Sequence, residues 1–204
     1  MDKLFNQKER SRSVKEGDLL WNPSRKRVSQ SNIFRYLKWL KNTEGHEFSG
    51  YDELWQWSVG DPDGFWKSIW DFTQVKGSLG NILLQESNIF FKNKFFPGTK
   101  LNYAENLLKK NNTEKAIIFK SENGYKKDIS WNNLNSNVAK ISNWLESNGV
   151  QKGDRVVAYM PNIPETVIAY ISTAVLGAIW SSCSPDFGTA GVIDRFSQIT
   201  PKIL

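Results

Sequence analysis

The strongest pattern of apolar residues in this chain lies between residues 155 and 182. Residues 155–160 (RVVAYM) are apolar at almost every position, which is typical of a strand buried on both faces of a parallel sheet. Apolar residues then recur at helical spacing, at Val167, Tyr170, Ile171, Ala174 and Ala178. Residues 178–182 (AIWSS) resume a strand pattern. The segment therefore predicts a strand–helix–strand unit with parallel strands and a right-handed crossover.

The ends of this predicted helix carry their own signals. Pro164 and Glu165 fit its first turn, where a missing N–H is tolerated and a negative charge is favoured. Asn162 is placed to cap the helix, and Gly177 is placed to end it.

The sequence before this unit predicts a β-hairpin followed by a helix. Strand patterns at 116–120 and 125–130 flank the turn sequence 122–124 (ENG). The helix is predicted to run from Ser130 to a stop at Gly149. Its apolar face is formed by Leu134, Val138, Ile141 and Leu145.

These patterns divide the chain into three parts. We predict a basic polar leader (1–30), a helical, aromatic-rich N-terminal region (31–110) and the start of an α/β domain (111–204) that is truncated at residue 204. The fold class expected is α/β, with a helical N-terminal extension followed by the first part of a doubly wound, largely parallel sheet. In the middle part, residues 61–64 (DPDG) are predicted to open a helix with a packed aromatic face.

Positive charge is concentrated near the start of the chain. The net charge is +6, and residues 1–41 hold 11 Lys and Arg against 4 Asp and Glu. The basic clusters are 8–12 (KERSR) and 24–27 (SRKR). They fit either a nucleic-acid-binding arm or a solvated leader. Because no nucleic-acid-binding fold follows, we expect a solvated leader and no nucleic-acid partner.

Cysteine usage and apolar runs bear on localisation. The single Cys183 excludes an intramolecular disulfide and favours a reducing compartment. The first residues lack the apolar core of a signal peptide, and the longest apolar run, 167–180, is too short to span a bilayer. We therefore expect a cytoplasmic protein with no membrane partner.

Four sequence blocks resemble one family. They are 57–72 (WSVGDPDGFWKSIWDF), 95–108 (FFPGTKLNYAENLL), 161–188 (PNIPETVIAYISTAVLGAIWSSCSPDFG) and 191–204 (GVIDRFSQITPKIL). Together they resemble the acetoacetate–CoA ligases, a branch of the adenylate-forming acyl-CoA ligases. In complete members, a segment of this kind forms roughly the first third of the chain, so the resemblance implies an N-terminal fragment.

The resemblance implies an enzyme that uses ATP, Mg²⁺ and coenzyme A to convert acetoacetate into acetoacetyl-CoA through an acyl-adenylate. The family's adenine-binding, Mg²⁺-binding and C-terminal Lys elements have no counterpart in this sequence. We therefore assign no catalytic residue and no metal ligand, and expect the fragment alone to be inactive. The nearest approach to a phosphate-binding loop is 77–80 (GSLG), which we interpret as a turn.

Two other reactive residue types have structural interpretations. His46 lies in a polar segment and is expected on the surface. Cys183 ends a buried strand and is expected to be a packed thiol rather than a reactive one.

One candidate site remains, the loop Ser184, Pro185, Asp186, Phe187 and Gly188. It follows a strand of the predicted sheet, and ligand sites of doubly wound sheets lie beyond such strand ends. In the related acetate-activating ligases the aligned loop holds a Gly-Gly pair beside the adenine end of CoA, where this chain has Pro185-Asp186. We expect the loop at the mouth of the CoA channel. The alternative is a simple turn in which Asp186 or Ser184 caps the next helix.

Two rival functions stay open. The first is a ligase for another short carboxylic acid, because the acid pocket lies outside this sequence. The second is a non-catalytic binding module whose basic leader binds nucleic acid, with a strong dependence on salt.

Overall fold

The computed structural model describes residues 14–204. Within it the chain forms two compact units, one ending at Phe72 and the other running from Thr73 to Leu204. The basic cluster at 8–12 lies outside the described residues. In the described part of the chain, no helix combines the length and apolar character needed to cross a membrane.

The first unit is helical. Its elements are α1 (Arg25–Ser29), α2 (Asn32–Trp39), a π-helical turn (Leu40–Glu44), α3 (Tyr51–Gly60) and α4 (Pro62–Phe72). Ser24 and Ser31 cap α1 and α2 through their hydroxyls, and the Asp61 carboxylate accepts from the Gly64 N–H at 3.0 Å. The basic cluster at 24–27 therefore starts a short helix.

The core of this unit forms around Tyr36, Leu40 and Leu54. Aromatic residues of α4 pack against it, including Phe65 and Phe72, so the aromatic face predicted for this helix is partly internal. Other apolar residues of this unit are exposed. Ile33 and Phe34 line an open cavity of about 510 Å³, and Trp66 is 40% exposed.

The second unit begins with short antiparallel pairs. Strands β1 (Gly77–Ser78) and β4 (Lys100–Leu101) pair, as do β2 (Leu84–Gln85) and β3 (Lys94–Phe95), with a 3₁₀ turn at Phe90–Lys92. The turn predicted at 77–80 is wrong, because Gly77 and Ser78 pair with Leu101 and Lys100. The helices of the predicted helical region thus lie mostly before residue 73.

The short helix α5 (Tyr103–Leu107) leads into a confirmed hairpin. Strands β5 (Lys115–Lys120) and β6 (Lys126–Ser130) are antiparallel. Gly124 turns the chain at φ 86°, a backbone conformation that favours glycine.

Helix α6 (Trp131–Ser147) follows and begins where predicted, with the Ser130 hydroxyl as its N-cap. Gly149 comes just after its end at φ 81°. The buried face of α6 differs from the prediction at one position, because Ser142 is buried and Ile141 is exposed.

The predicted strand–helix–strand unit is confirmed. Strand β7 (Arg155–Tyr159) and strand β8 (Ile179–Cys183) are parallel, with α7 (Pro164–Val175) between them along the chain. Pro164 lies in the first turn of α7. The N-cap is Ile163, without a side-chain hydrogen bond, so the predicted capping role of Asn162 is wrong.

The chain then returns to the sheet. Helix α8 (Thr189–Ser197) is followed by a parallel bridge between Ile203 and Val156. Val156 also pairs with Trp180 of β8, so Ile203 lies on the side of β7 opposite β8. The residues buried in β7 are Val156, Val157 and Ala158, which agrees with a central strand.

Packing of α6 on α7 forms the largest core of the second unit, with Ala104 of α5 and Ile129 of β6. Two hydroxyls are fully buried in α7. Ser172 donates to the carbonyls of Ile168 (2.7 Å) and Val138 (3.2 Å), and Thr173 donates to Ala169 (2.9 Å). These polar groups are tolerated because each has an acceptor.

Candidate functional site

The candidate site is the loop 184–188, which leaves the sheet at the carboxyl end of β8. Tyr159 and Cys183 are partners in the parallel register, so β7 and β8 end at the same level. The Met160 N–H still bonds to the Cys183 carbonyl at 3.2 Å. The loop therefore begins where ligands of open parallel sheets are bound.

A single phenol from β7 holds the loop. The hydroxyl of Tyr159 lies 2.8 Å from the carbonyl oxygen of Pro185 and 2.8 Å from that of Phe187. Both contacts join side chain to backbone, so the loop path depends on Tyr159 rather than on its own side chains alone.

The loop is also closed on itself. The Ser184 hydroxyl donates to the Asp186 carboxylate at 2.8 Å, and the Phe187 N–H donates to the Ser184 carbonyl at 3.1 Å. This is a tight turn of the kind that Ser and Asp favour. It engages the Ser184 hydroxyl and one oxygen of the Asp186 carboxylate.

Neither side chain caps the following helix. The N-cap of α8 is Gly188, and no side chain bonds there. The alternative role of Asp186 or Ser184 as a helix cap is therefore wrong.

A cation lies against the loop. The Arg195 guanidinium of α8 sits 4.4 Å from the centre of the Phe187 ring, within the range of a cation–π contact. Phe187 remains 37% exposed. A side chain at Gly188 would meet no atom within 4 Å, so this glycine faces open space.

The other sequence candidates lie apart from this loop. Cys183 is buried and free, as expected of a packed thiol. His46 is exposed, as expected, and its ring lies 4.8 Å from that of Trp57 within the first unit. Across residues 14–204, no group of three or more His, Cys, Asp or Glu is placed to hold a metal ion.

An ion pair occurs near the start of α7. Lys127 of β6 bonds to Glu165, and this bond raises the pKa of Lys127 and lowers the pKa of Glu165. Both shifts favour the charged forms, because each group is hydrogen-bonded to its counter-ion. The pair is exposed and links β6 to α7, so we interpret it as structural rather than catalytic.

The residue that the sequence did not indicate is Tyr159. Its place in the apolar run 155–160 predicts only a position in the buried strand, yet Tyr159 is 45% exposed at the end of β7. The strand's burial pattern ends at Ala158, so an aromatic residue with a polar tip at the next position was the available signal.

Two family profiles match parts of the chain. Residues 105–204 match the profile described as AMP-binding enzyme. Residues 51–107 match the profile described as acetyl-coenzyme A synthetase N-terminus. Over these two stretches the chain is similar to AMP-binding enzymes and to the N-terminal region of acetyl-coenzyme A synthetases.

Individual relatives show which enzymes of this kind the chain is similar to. The chain is 41% identical over 184 residues to the acetoacetyl-coenzyme A synthetase of Rhizobium meliloti (strain 1021), covering 90% of this chain and 28% of the relative. It is 29% identical over 195 residues to a malonamoyl-CoA synthetase of Penicillium aethiopicum, covering 92% and 27%.

A solved structure agrees. The acetoacetyl-CoA synthetase from Streptomyces lividans superposes with a TM-score of 0.79 at 36% identity, covering 89% of this chain and 29% of that one. This confirms the α/β fold class and the resemblance to acetoacetate–CoA ligases. The chain spans less than a third of the length of these relatives.

Proposed function

We propose that the protein to which this region belongs is an acetoacetate–CoA ligase. It would join acetoacetate to coenzyme A, with ATP converted to AMP and pyrophosphate. The observation that carries the proposal is the 41% identity to an acetoacetyl-coenzyme A synthetase across 90% of the chain. The blocks at 95–108 and 161–188, which hold α5, β8 and the loop, carry the resemblance on the sequence side.

The chemistry of such a ligase follows from the poor reactivity of a carboxylate. Oxide is a poor leaving group, so the acid oxygen first attacks the α-phosphorus of ATP and releases pyrophosphate. The CoA thiol then attacks the carboxyl carbon of the acyl-adenylate and AMP leaves. The first step needs phosphate-binding N–H groups, Lys and Mg²⁺ around ATP.

Residues 14–204 do not fit ATP or Mg²⁺. The glycine-containing segment at 77–80 lies partly in a strand, where Gly77 and Ser78 pair with β4. The described residues also offer no metal-binding cluster. We therefore derive no adenylation step from these residues and propose that the groups that bind ATP and Mg²⁺ are supplied by other parts of the ligase.

The residues at 184–188 do fit coenzyme A. The loop is exposed beyond two parallel strands, and it presents the Phe187 ring with the Arg195 cation against it. An aromatic ring and a guanidinium suit the adenine and phosphates of CoA. We propose that Ser184, Pro185, Asp186, Phe187 and Gly188 form the mouth of the CoA channel.

Organisation and localisation are further proposals. We propose that 1–30 is a leader, that 31–110 is an N-terminal region and that 111–204 starts the adenylate-forming domain. A cytoplasmic location fits the single cysteine, which is buried and free. Acetoacetate, ATP and CoA are the proposed small-molecule partners.

A ligase for another short acid is the second candidate. The similarity to a malonamoyl-CoA synthetase favours it, because that relative acts on a different acid. Its lower identity, 29% against 41%, places it second.

Acid-dependent exchange of pyrophosphate into ATP tests the proposal and separates the two candidates. The assay is run on two proteins. One is the complete ligase, and the other is a chimera in which this chain replaces the matching region of the Rhizobium meliloti enzyme. We expect exchange with acetoacetate and little with acetate or malonamate. Exchange supported better by another acid in the complete ligase would overturn the acetoacetate assignment. The 204-residue chain alone is expected to give none.

A further inference from the structure

We propose that Tyr159 is a positioning residue for thioester formation, through the loop 184–188. The proposal rests on the proposed CoA ligase function. Tyr159 would not touch the reacting atoms. It would set the backbone path of the loop that receives CoA.

The register explains how Tyr159 reaches the loop. Tyr159 is the last residue of β7 and the partner of Cys183, the last residue of β8. Its side chain therefore starts at the level where the loop leaves the sheet. From there its hydroxyl reaches carbonyls two and four residues beyond Cys183, those of Pro185 and Phe187.

The two hydrogen bonds constrain the backbone of the loop more than a single contact would. A phenol carries one proton, so the two carbonyl oxygens at 2.8 Å converge on the same donor. This convergence bends the segment between them, which contains Asp186. Without the hydroxyl, the two carbonyls would be free to separate.

The other contacts of the loop do not replace this one. The bond from Ser184 to Asp186 lies within the loop and does not join it to the sheet. The Arg195 guanidinium contacts the Phe187 ring, which leaves the Phe187 carbonyl unconstrained. Gly188 caps α8 without a side-chain bond. Among the described side-chain contacts, Tyr159 alone fixes the loop backbone to β7.

This role has a consequence for catalysis. A preformed loop avoids an ordering cost each time CoA binds. The adenylation step does not use CoA, so it should not depend on the loop. Loss of the hydroxyl should therefore impair thioester formation and leave adenylation unchanged.

Tyr159→Phe tests the inference, because it removes the hydroxyl and keeps the ring. The matched control is Tyr125→Phe, at a tyrosine that is 56% exposed in the hairpin between β5 and β6. In the complete ligase we expect KM for CoA to rise about three- to tenfold, the effect of one lost hydrogen bond. Acetoacetate-dependent pyrophosphate exchange should stay unchanged, and Tyr125→Phe should change neither.

Hydrogen–deuterium exchange gives a second readout that needs no activity. In Tyr159→Phe, the peptide covering 184–188 should exchange about three- to tenfold faster, while peptides from α6 remain as in the parent. Unchanged loop exchange together with an unchanged KM for CoA would overturn the inference. Faster loop exchange with normal CoA kinetics would also overturn it, because the loop would then be positioned without serving CoA. If the parent enzyme showed no acetoacetate-dependent pyrophosphate exchange, the result would instead count against the proposed ligase function.

Discussion

The side-chain amide nitrogen of Asn102 lies 3.0 Å from the carbonyl oxygen of Ala174, near the end of α7. The same nitrogen lies 3.0 Å from the Val175 carbonyl, while its amide oxygen accepts from the Glu105 N–H at the start of α5. One side chain thus satisfies free groups at the ends of two helices. This gives a physical reason for an asparagine within 95–108, one of the family-like blocks.

Replacement of Asn102 should therefore loosen α5 from α7. We expect Asn102→Ala to lower the free energy of unfolding by about 1–3 kcal/mol, because a cap and two carbonyl partners are lost. Asn102→Asp keeps the cap acceptor but sets a carboxylate oxygen against the two carbonyl oxygens, so it should also be destabilising. Urea denaturation measures both. Asn133→Ala, at an exposed position of α6, should be neutral; equal losses at the two sites would refute this role for Asn102.

A second prediction concerns a buried pair in the first unit. The hydroxyls of Tyr36 and Ser68 lie 2.5 Å apart, and Ser68 also donates to the Phe65 carbonyl at 2.7 Å. The tyrosine must then be the donor within the pair. Burial raises the pKa of Tyr36, which agrees with a phenol kept protonated.

The two substitutions in this pair should differ. Ser68→Ala leaves the Tyr36 O–H buried without its acceptor and should cost about 1–3 kcal/mol. Tyr36→Phe removes the donor, leaves Ser68 bonded to Phe65 and should cost about 1 kcal/mol. Thermal unfolding of both single variants and the double variant gives the comparison. A larger loss for Tyr36→Phe would reverse the assigned donor.

The strands and helices between residues 115 and 183 were predictable because local pattern and tertiary role agree there. Residues 155–160 are apolar without alternation, and the strand they form is buried on both faces. Ser130 and Gly149 bound α6 by side-chain capping and a left-handed turn, which are local effects. Such signals need no knowledge of distant residues.

The wrong predictions have one local cause and one distant cause. Asn162 is a good cap by type, but α7 begins at Pro164, whose missing N–H needs no cap there. Gly77 has the composition of a turn, yet it pairs with Leu101, which is 24 positions away. Tyr159 belongs to the candidate site through a register that a single sequence does not reveal. Pairing of this kind depends on the fold and not on local propensity.

A pH prediction follows from Asp154, in the turn before β7. Its carboxylate accepts from the Gln151 N–H and from Lys202, and these bonds lower its pKa below the ordinary value of 3.8. A lowered pKa in the folded state gives stability that is present above 3.8 and lost as pH falls through the folded-state value. Asp154→Asn should therefore lower the melting temperature at pH 6.

The difference in melting temperature between the parent and Asp154→Asn should narrow as the pH falls below 3.8. Thermal melts from about pH 2 to 7 measure it. Glu122→Gln, at an exposed carboxylate in the hairpin turn, serves as the control and should show no such closing gap. A gap that stays constant with pH would mean that the Asp154 charge does not stabilise the fold.

Another prediction concerns the open edge of β8. Among the described residues β8 pairs with β7 alone, and Ile179 is 52% exposed on it. Open strand edges with apolar residues tend to pair with other chains. The 204-residue chain should therefore self-associate as its concentration rises, as measured by sedimentation velocity. Ile179→Lys should reduce this association, whereas Val59→Lys, at an exposed position on α3, should not; a chain that is monomeric at all concentrations would contradict the expectation.

The last prediction tests the loop directly through Asp186. Its carboxylate accepts from Ser184, and it does not cap α8. If the loop borders the CoA channel, Asp186→Ala in the complete ligase should slow thioester formation about three- to tenfold, the effect of one lost hydrogen bond. Stability should change by less than about 0.5 kcal/mol, because the site is exposed. Asp194→Ala, a neighbouring exposed carboxylate on α8, is the matched control. Single-turnover transfer from preformed acyl-adenylate to CoA isolates the step from adenylation. Equal slowing of pyrophosphate exchange and thioester formation would remove the loop from the CoA site, because a CoA contact can affect only the second half-reaction.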